Sequence, residues 1–213
     1  MTPDDIDAEY KRLGYRLGWS FMATPAARMN DAEVCLVGLN PGGSHEGLGL
    51  WSSEAGNAYH EEKWRGSEGT EFYSPLQNQI HAMEQLLGLS PDGYLAAQFI
   101  PFRSADWQRL QNRAEAIAFG QKLWLWVLQQ SPARLFLCLG MEAARGLARV
   151  TQAGAEETYP AGWGKVTIGR SVSADGRVVV RLPHLSRYGI FGRPSGLSTT
   201  ATASLRLACR PAG

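Results

Sequence analysis

Short apolar runs with little polar alternation recur along this chain, at residues 34–38, 94–102, 134–139 and 177–182. Runs of this length without a two-residue alternation are typical of strands whose two faces are both covered. Pro101 interrupts the second run near its end, because proline cannot donate a hydrogen bond to a neighbouring strand. A turn-like segment, Ala174-Asp175-Gly176, leads into the last run. The pattern therefore predicts four buried strands.

Segments with helical spacing of apolar residues separate these runs. They predict helices at residues 4–17, 76–87, 107–129, 141–150 and 198–207. Pro75 suits the first turn of the second helix and Gly88 suits its end. Alternating strands and helices favour a parallel, mostly buried sheet with helices on both faces. We therefore predict the α/β class, as a single three-layer α/β/α domain over residues 1–213 with a central, mostly parallel four-stranded sheet.

One long segment, residues 44–73, has no clear periodicity and is rich in Gly, Ser, Glu and Trp. Loops of this length are usually functional or disordered. The segment contains Trp51, Tyr59, Trp64 and Phe72. This aromatic content favours packing or ligand contact over disorder.

The composition argues against several classes of protein. Cys35, Cys138 and Cys209 are far apart, which argues against a disulfide framework and against a cysteine metal cluster. No apolar stretch approaches the roughly 20 residues of a membrane span, and no signal-peptide pattern is present near the start. We therefore expect a cytoplasmic protein without a membrane partner.

The net charge of +1 conceals an uneven distribution of charge. From residue 165 onward the one acidic residue is Asp175, whereas eight residues are basic: Lys165, Arg170, Arg177, Arg181, Arg187, Arg193, Arg206 and Arg210. Such asymmetry is typical of a protein with one phosphate-facing surface, although ordinary solvated faces also show it. Contact with nucleic acid is one hypothesis for this C-terminal part of the chain.

Polar side chains follow the predicted strands at their carboxyl ends. Asn40 comes after the first strand and before the turn Pro41-Gly42-Gly43, Gln98 lies in the second run, and His184 follows the fourth strand. Ligands of open α/β sheets bind at the carboxyl ends of the strands. We therefore expect Asn40, Gln98 and His184 to converge on one pocket.

Two ordered motifs at these positions resemble those of the uracil-DNA glycosylase superfamily. Gly-Leu-Asn-Pro-Gly at 38–42 resembles the first motif of the mismatch-specific and single-strand-selective branches, and His-Leu-Ser at 184–186 resembles the family's His-Pro-Ser motif. Weaker similarities lie between them, at residues 49–52, 74–78, 98–103 and 135–140. The resemblance covers roughly residues 30–195 and implies a uracil-DNA glycosylase-like fold.

The resemblance also implies an activity, hydrolysis of the N-glycosidic bond of uracil or a related damaged base in DNA. The expected catalytic residues are Asn40, which would position the water, and His184, which would donate a hydrogen bond to the departing base. The expected substrate-binding residues are Gly38, Leu39, Pro41, Gly42, Trp51 and Gln98. Among them, Trp51 would stack on the flipped base and Gln98 would hydrogen-bond its edge. A monomer without metal or cofactor is expected.

Contact with DNA is expected from two further segments. The expected DNA-binding residues are Ser74, Pro75, Leu185, Ser186, Arg187 and Tyr188. Ser74 and Pro75 belong to a segment that resembles the family's backbone-pinching loop. A base that leaves the stack requires a side chain to hold the gap, and Leu185, Arg187 and Tyr188 are the candidates for that wedge.

Departures from the family's pattern leave other functions open. Asn40 cannot act as a base, Gln98 is one methylene longer than the usual Asn, and the second motif lacks its proline. These departures favour the alternative of a catalytically weak or inactive glycosylase-fold protein that binds DNA or a nucleotide. A third hypothesis is an α/β hydrolase using Ser186 and His184, which the absence of a Gly-x-Ser-x-Gly elbow weakens.

A metal site is a further possibility raised by the long segment. His45 and His60 lie near Glu46, Glu61 and Glu62, but the spacing of the two histidines matches no known ligand pattern. We therefore predict no metal at these residues.

Overall fold

The computed structural model describes residues 1–44, 46–65, 68–193 and 196–212. The strands in chain order are β1 (Val34–Gly38), β2 (Trp64–Arg65), β3 (Glu71–Phe72), β4 (Leu95–Gln98), β5 (Leu135–Leu139), β6 (Glu157–Pro160), β7 (Thr167–Val172) and β8 (Val178–Leu182). The helices are α1 (Pro3–Arg12), α2 (Arg28–Asp31), α3 (Ala58–Glu61), α4 (Pro75–Leu87), α5 (Arg113–Gln130), α6 (Met141–Val150) and α7 (Gly196–Ala208). A 3₁₀ turn, Trp107–Arg109, precedes α5.

The four predicted strands are confirmed and lie side by side. They are parallel in the order β4-β1-β5-β8, so their carboxyl ends share one edge of the sheet. Each is short and largely buried, as expected for strands covered by helices on both faces. The edge that carries the candidate residues is thus present in the structure.

The predicted strand count of four was wrong, because the main sheet has six strands. The sheet continues beyond β8 through β7 and β6, which pair antiparallel. β7 contains the polar residues Thr167, Arg170 and Ser171, and β6 is mostly exposed, so neither shows the continuous apolar run of the inner strands. β2 and β3 form a separate two-stranded hairpin within residues 44–73.

The sheet separates two apolar layers. One layer packs α1, α5 and α6 on side chains such as Cys35, Val37 and Phe136, and the other packs α4 and α7 on Leu36 and Leu137. Adjacent strand residues therefore face opposite layers, which is the three-layer α/β/α arrangement that the alternation predicts. Cys35 and Cys138 are buried free thiols on neighbouring strands.

The helix α4 begins and ends where the sequence predicts. Ser74 and Gln77 cap each other's backbone at its start, Pro75 occupies the first turn, and Gly88 ends the helix with a left-handed φ of 67°. Within the described part of the chain, no helix combines the length and apolar character needed to cross a membrane.

Two helices are shorter than predicted. α1 stops at Arg12, and Gly14 follows with a φ of 73°, so residues 13–17 are not helical. The predicted helix over 107–129 divides into the 3₁₀ turn and α5, with Asn112 in the left-handed region at a φ of 49°. These two breaks create irregular backbone beside the segment that follows β4.

Candidate functional site

Asn40 lies in a turn that is held against the segment following β4. The backbone N–H of Phe99 donates to the carbonyl of Gly38 at 2.7 Å and that of Ile100 donates to Leu39 at 2.8 Å, which extends the pairing of β1 and β4. The Nδ2 of Asn40 donates to the carbonyls of Pro41 at 3.1 Å and Phe102 at 3.4 Å. Because Nδ2 is committed to the backbone, Oδ1 is the atom of this carboxamide that can hold a water molecule.

Gln98 lies across Gly38, its direct partner in the parallel pairing of β4 with β1. A Cβ atom on Gly38 would come within 2.3 Å of Gln98 Oε1, so only glycine leaves room for this carboxamide. Oε1 is buried and accepts no hydrogen bond from any residue that the structure describes. A buried acceptor without a donor costs stability unless a ligand supplies one. Gln98 Oε1 is therefore a candidate ligand contact.

Tyr59 is the site residue for which the sequence analysis assigned no role. Its carbonyl accepts hydrogen bonds from Gln77 Nε2 at 3.2 Å and His81 Nε2 at 2.9 Å, so α4 fixes its position. Burial raises the pKa of its hydroxyl to about 12, and a hydrogen bond donated to the hydroxyl oxygen by the amide nitrogen of Gln98 opposes this rise. The hydroxyl is therefore protonated at neutral pH and sits against the Gln98 carboxamide. The aromatic content of residues 44–73 was the signal for a ring at this position.

Trp51 packs in the opposite layer from Gln98. Its ring lies 5.3 Å from that of Phe21 and 5.9 Å from that of Trp126, and it borders the apolar layer of α5. Gln98 shares its strand face with Ala96, which belongs to the α4 layer together with Tyr59. The structure therefore places Trp51, the residue expected to stack on the base, beside the opposite layer from Gln98, and Tyr59 is the aromatic residue beside Gln98.

His184 is an exposed residue at the end of the edge, after β8 and Pro183. Its carbonyl accepts the backbone N–H groups of Arg187 at 2.8 Å and Tyr188 at 3.0 Å, which closes a turn. Partial desolvation, and then the positive charge of Arg187, lower the pKa of the imidazole. Ser186 Oγ lies 2.7 Å from Nδ1 and can donate to it, which places the proton of the neutral ring on Nε2. A neutral Nε2–H is a suitable donor to a developing anion.

The electrostatic effect of Arg187 on His184 is open to a direct test. Because the pKa of His184 is lowered, we expect the ring to protonate only below its ordinary value of about 6.5. Arg187→Ala removes the smaller cause, so the pKa should rise part of the way towards that value, whereas Arg187→Lys should leave it low. NMR titration of the His184 ring protons measures this, with His60 and His81 as internal references. A pKa that does not change in Arg187→Ala would contradict the assignment.

The expected site residues lie at the carboxyl-end edge of the sheet but belong to different strands. Gly38 of β1 pairs with Gln98 of β4, and Asn40 follows β1. His184 follows β8, and β5 lies between β8 and β1. Strands are about 4.8 Å apart, so the chain segments bearing Asn40 and His184 are separated by about 10 Å. Gly140, which follows β5 and has no side chain, lies between the segments of Asn40 and His184. Its N–H donates to the Leu182 carbonyl at 3.1 Å.

The expected DNA-binding residues divide into different environments. Leu185 is 1% exposed and packs in the α4 layer, so its role as a wedge is corrected to core packing. Tyr188 is half-buried, with its ring 6.2 Å from that of Trp163. Ser74 and Pro75 form the start of α4, where the Ser74 hydroxyl accepts the N–H of Gln77. Arg187 is exposed, so Arg187 and the partly exposed Tyr188 stay the wedge candidates.

The turn after β8 is tied to α4 by one side chain. Gln79 Nε2 donates to the carbonyl of Phe191 at 2.9 Å, and the N–H of Phe191 donates back to Gln79 Oε1 at 2.8 Å. Gln77, two residues earlier in α4, donates to the carbonyls of Tyr59 and Glu62. The first turns of α4 thus hold the segments that carry Tyr59 and His184.

His60 of the long segment pairs with a residue of α4, and no hydrogen bond joins it to Glu61 or Glu62 within the described part of the chain. His60 Nε2 donates to the Glu84 carboxylate of α4 at 2.9 Å, and the Tyr94 hydroxyl donates to the same buried group at 2.5 Å. The ring of His60 stacks on that of His81 at 4.0 Å. The ligand atoms of His60, His81 and Glu84 lie within 4.8 Å of one another and could hold a metal ion. Their present hydrogen bonds give them a structural role joining α3 to α4, and His45 lies outside the described residues.

The serine–histidine pair lacks the third member of a hydrolase triad. Ser186 and His184 share one exposed turn, and no acidic side chain among the described residues hydrogen-bonds to His184. The pair engages Nδ1, the atom that the acid occupies in a triad of the Ser-His-Asp kind. The hydrolase hypothesis therefore gains no support from this geometry.

The C-terminal basic residues do not form one phosphate-facing surface. Arg181 pairs with Glu156 at 2.8 Å, Arg177 pairs with Asp175, and Arg170 donates to the carbonyl of Arg210. Arg193 lies over the ring of Trp163 at 4.9 Å. Half of the eight basic residues are therefore engaged within the protein, which weakens the charge argument for this part of the chain.

Comparison with known proteins does not indicate what this site does. No protein-family model matches the sequence, and no curated protein is significantly similar to it. The function therefore has to be inferred from the residues of the site, namely Gly38, Asn40, Tyr59, Gln98 and His184.

Proposed function

We propose that this protein is a monofunctional DNA glycosylase that hydrolyses the N-glycosidic bond of uracil or a related damaged base. The observation that carries the proposal is the Gln98 carboxamide, held over Gly38 with a buried, unpartnered Oε1, one strand away from Asn40. An acceptor in that position suits an N–H group on the edge of a flipped base. The motifs that resemble the uracil-DNA glycosylase superfamily supply these same residues.

In this proposal each polar group has one task. Oδ1 of Asn40 accepts a hydrogen bond from the attacking water, because Nδ2 is occupied by the carbonyls of Pro41 and Phe102. Neutral His184 donates from Nε2 to the base oxygen where negative charge develops, as a preorganised donor does in an oxyanion site. Gln98 and the Tyr59 hydroxyl hold the base edge. Asn40 orients the water without accepting its proton, so the expected rate is modest.

The test is incubation of the protein with oligonucleotides that each carry one damaged base, followed by alkaline cleavage of abasic product. The proposal expects strand cleavage for uracil or a related base and none for an undamaged control. The neutral side chain of Asn40 favours a second function, a fold that binds DNA or a nucleotide without cleaving it. If the protein binds the oligonucleotides but yields no abasic product with any base tested, the result would favour that second function.

His184→Ala should slow excision while leaving the fold intact. The imidazole is exposed and its side-chain hydrogen bond is to Ser186 in the same turn, so its loss removes little packing. Loss of a positioned donor to the leaving group should cost on the order of 10²-fold in rate. Single-turnover excision and thermal unfolding measure the two effects. A variant that melts much lower but keeps its rate per folded molecule would give His184 a structural role only.

A further inference from the structure

A cavity of about 480 Å³ lies beside the Asn40 turn, where the two shortened helices meet the segment after β4. Its lining includes Tyr15 and Leu17 after α1, Ser104 after β4, and three arginines, Arg16, Arg103 and Arg109. Among the described residues, none that lines it is acidic. Its volume is in the range of small-molecule sites, and its charge selects an anion.

The three arginines are available to such an anion. Arg16 and Arg109 are exposed, and neither forms an ion pair with any residue in the described ranges. Arg103 Nε is buried and has no hydrogen-bond partner there, although its Nη1 donates to the Gly42 carbonyl at 2.5 Å. Arginine is the residue that best matches the oxygens of a phosphate group. These arginines contrast with the C-terminal ones, several of which already have partners.

The cavity is joined to the Asn40 turn by direct contacts. The ring of Tyr15 packs on that of Phe102 at 4.8 Å, and the carbonyl of Phe102 accepts from Asn40 Nδ2. Arg103 follows Phe102 and holds Gly42, two residues from Asn40. The Tyr15 hydroxyl donates to the Gln111 carbonyl at 2.7 Å, which fixes the opposite wall. An anion bound to Arg103 would thus be positioned relative to Asn40 by rigid contacts.

We propose that Arg16, Arg103 and Arg109 form the main phosphate-binding site for the DNA strand that carries the target base. This inference rests on the proposed function, because it assigns to the cavity a phosphate of the same strand. It also moves the principal phosphate contact from the C-terminal basic residues, which begin at Lys165, to arginines between residues 16 and 109. Phosphate contacts of this kind fix the register of the strand without reading its sequence.

The test measures binding of an undamaged single-stranded oligonucleotide by fluorescence anisotropy over a range of salt concentrations. Arg16→Ala and Arg109→Ala should each weaken binding and reduce the slope of log K against log salt by about 0.7, the value for one phosphate contact on a single strand. Arg109→Lys should keep the slope. Arg206→Ala is the matched control, because it removes one exposed charge from α7, within the C-terminal basic part. It should leave the slope unchanged.

Each outcome decides the proposal. An unchanged slope in Arg16→Ala and Arg109→Ala, or an equal reduction in Arg206→Ala, would overturn it. A free phosphate site is tested with inorganic phosphate and the double variant Arg16→Ala/Arg109→Ala. If phosphate raises the melting temperature of the wild type but not of this double variant, while the oligonucleotide affinity of the two proteins is equal, the cavity binds a small phosphate ligand and the DNA assignment is wrong. Because the oligonucleotide contains no damaged base, this test can succeed where the excision test fails, and the reverse.

Discussion

Replacing Asn40 with alanine should reduce the rate of base excision by on the order of 10²-fold or more, because a positioned catalytic group is lost. Affinity for DNA should change little, since the side chain points its free Oδ1 at the water and contacts no phosphate in the proposed site. Alanine also loses the hydrogen bonds from Nδ2 to the carbonyls of Pro41 and Phe102. Single-turnover excision and anisotropy with the same oligonucleotide measure rate and affinity separately.

Asn40→Asp is the informative companion to this variant. Aspartate would place a carboxylate oxygen where Nδ2 now donates to two carbonyl oxygens, at 3.1 and 3.4 Å. The new carboxylate oxygen would then face two carbonyl oxygens without a donor between them, so the turn should loosen. The higher excision rate expected from a basic carboxylate should therefore not appear. Excision by Asn40→Asp that exceeds the wild-type rate, or equal loss of binding and cleavage in Asn40→Ala, would contradict this role for the carboxamide.

Gly38→Ala should both destabilise the protein and abolish normal base recognition. The new Cβ would lie 2.3 Å from Oε1 of Gln98 and 3.0 Å from its Cδ, so the carboxamide must move. Overpacking of this kind typically costs about 1–3 kcal/mol. In a chain of this length each kcal/mol corresponds to about 2–4 °C in melting temperature. Thermal unfolding and excision measure the two consequences.

The double variant Gly38→Ala/Gln98→Ala separates strain from function. The three atoms nearest to the new Cβ all belong to Gln98, so truncating that side chain removes the collision. The double variant should therefore melt close to Gln98→Ala alone, a non-additive result for residues in contact. Excision should be low in all three variants. If the two destabilisations simply add, Gly38 is not the residue that makes room for Gln98.

The inner part of the fold could be predicted because its strands are covered on both faces. β1, β4, β5 and β8 appear in the sequence as uninterrupted apolar runs, and turn residues mark their ends. β6 and β7 form the outer part of the sheet, where polar residues such as Arg170 and Ser171 interrupt the apolar ones. A short exposed strand of this kind depends on its neighbour more than on its own composition, so its pattern resembles a loop.

The candidate site was predictable where it depends on strand ends and not where it depends on loop packing. Asn40 follows β1 by two residues, and Gln98 ends β4, the strand beside β1, so the pairing of Gly38 with Gln98 keeps the two carboxamides near one edge, as strand ends in a parallel sheet predict. Tyr59 reaches Gln98 only because Gln77 and His81 of α4 hold its carbonyl. Trp51 lies in the other layer because the pairing of Ser20 with Leu50 directs its segment there. No spacing within residues 44–73 encodes these tertiary contacts.

The hydrogen bonds that join α4 to two separate segments have a thermodynamic consequence for the carboxyl-end edge of the sheet. Gln77 anchors the segment of Tyr59, and Gln79 anchors the turn that follows His184, within the first turns of the same rigid helix. A ligand that immobilises one segment immobilises α4, and this lowers the conformational entropy that the other segment still has to lose. Such coupling is reciprocal by linkage. Tyr59 and His184 should thus respond to one ligand as a single cooperative unit, although they are far apart in the sequence.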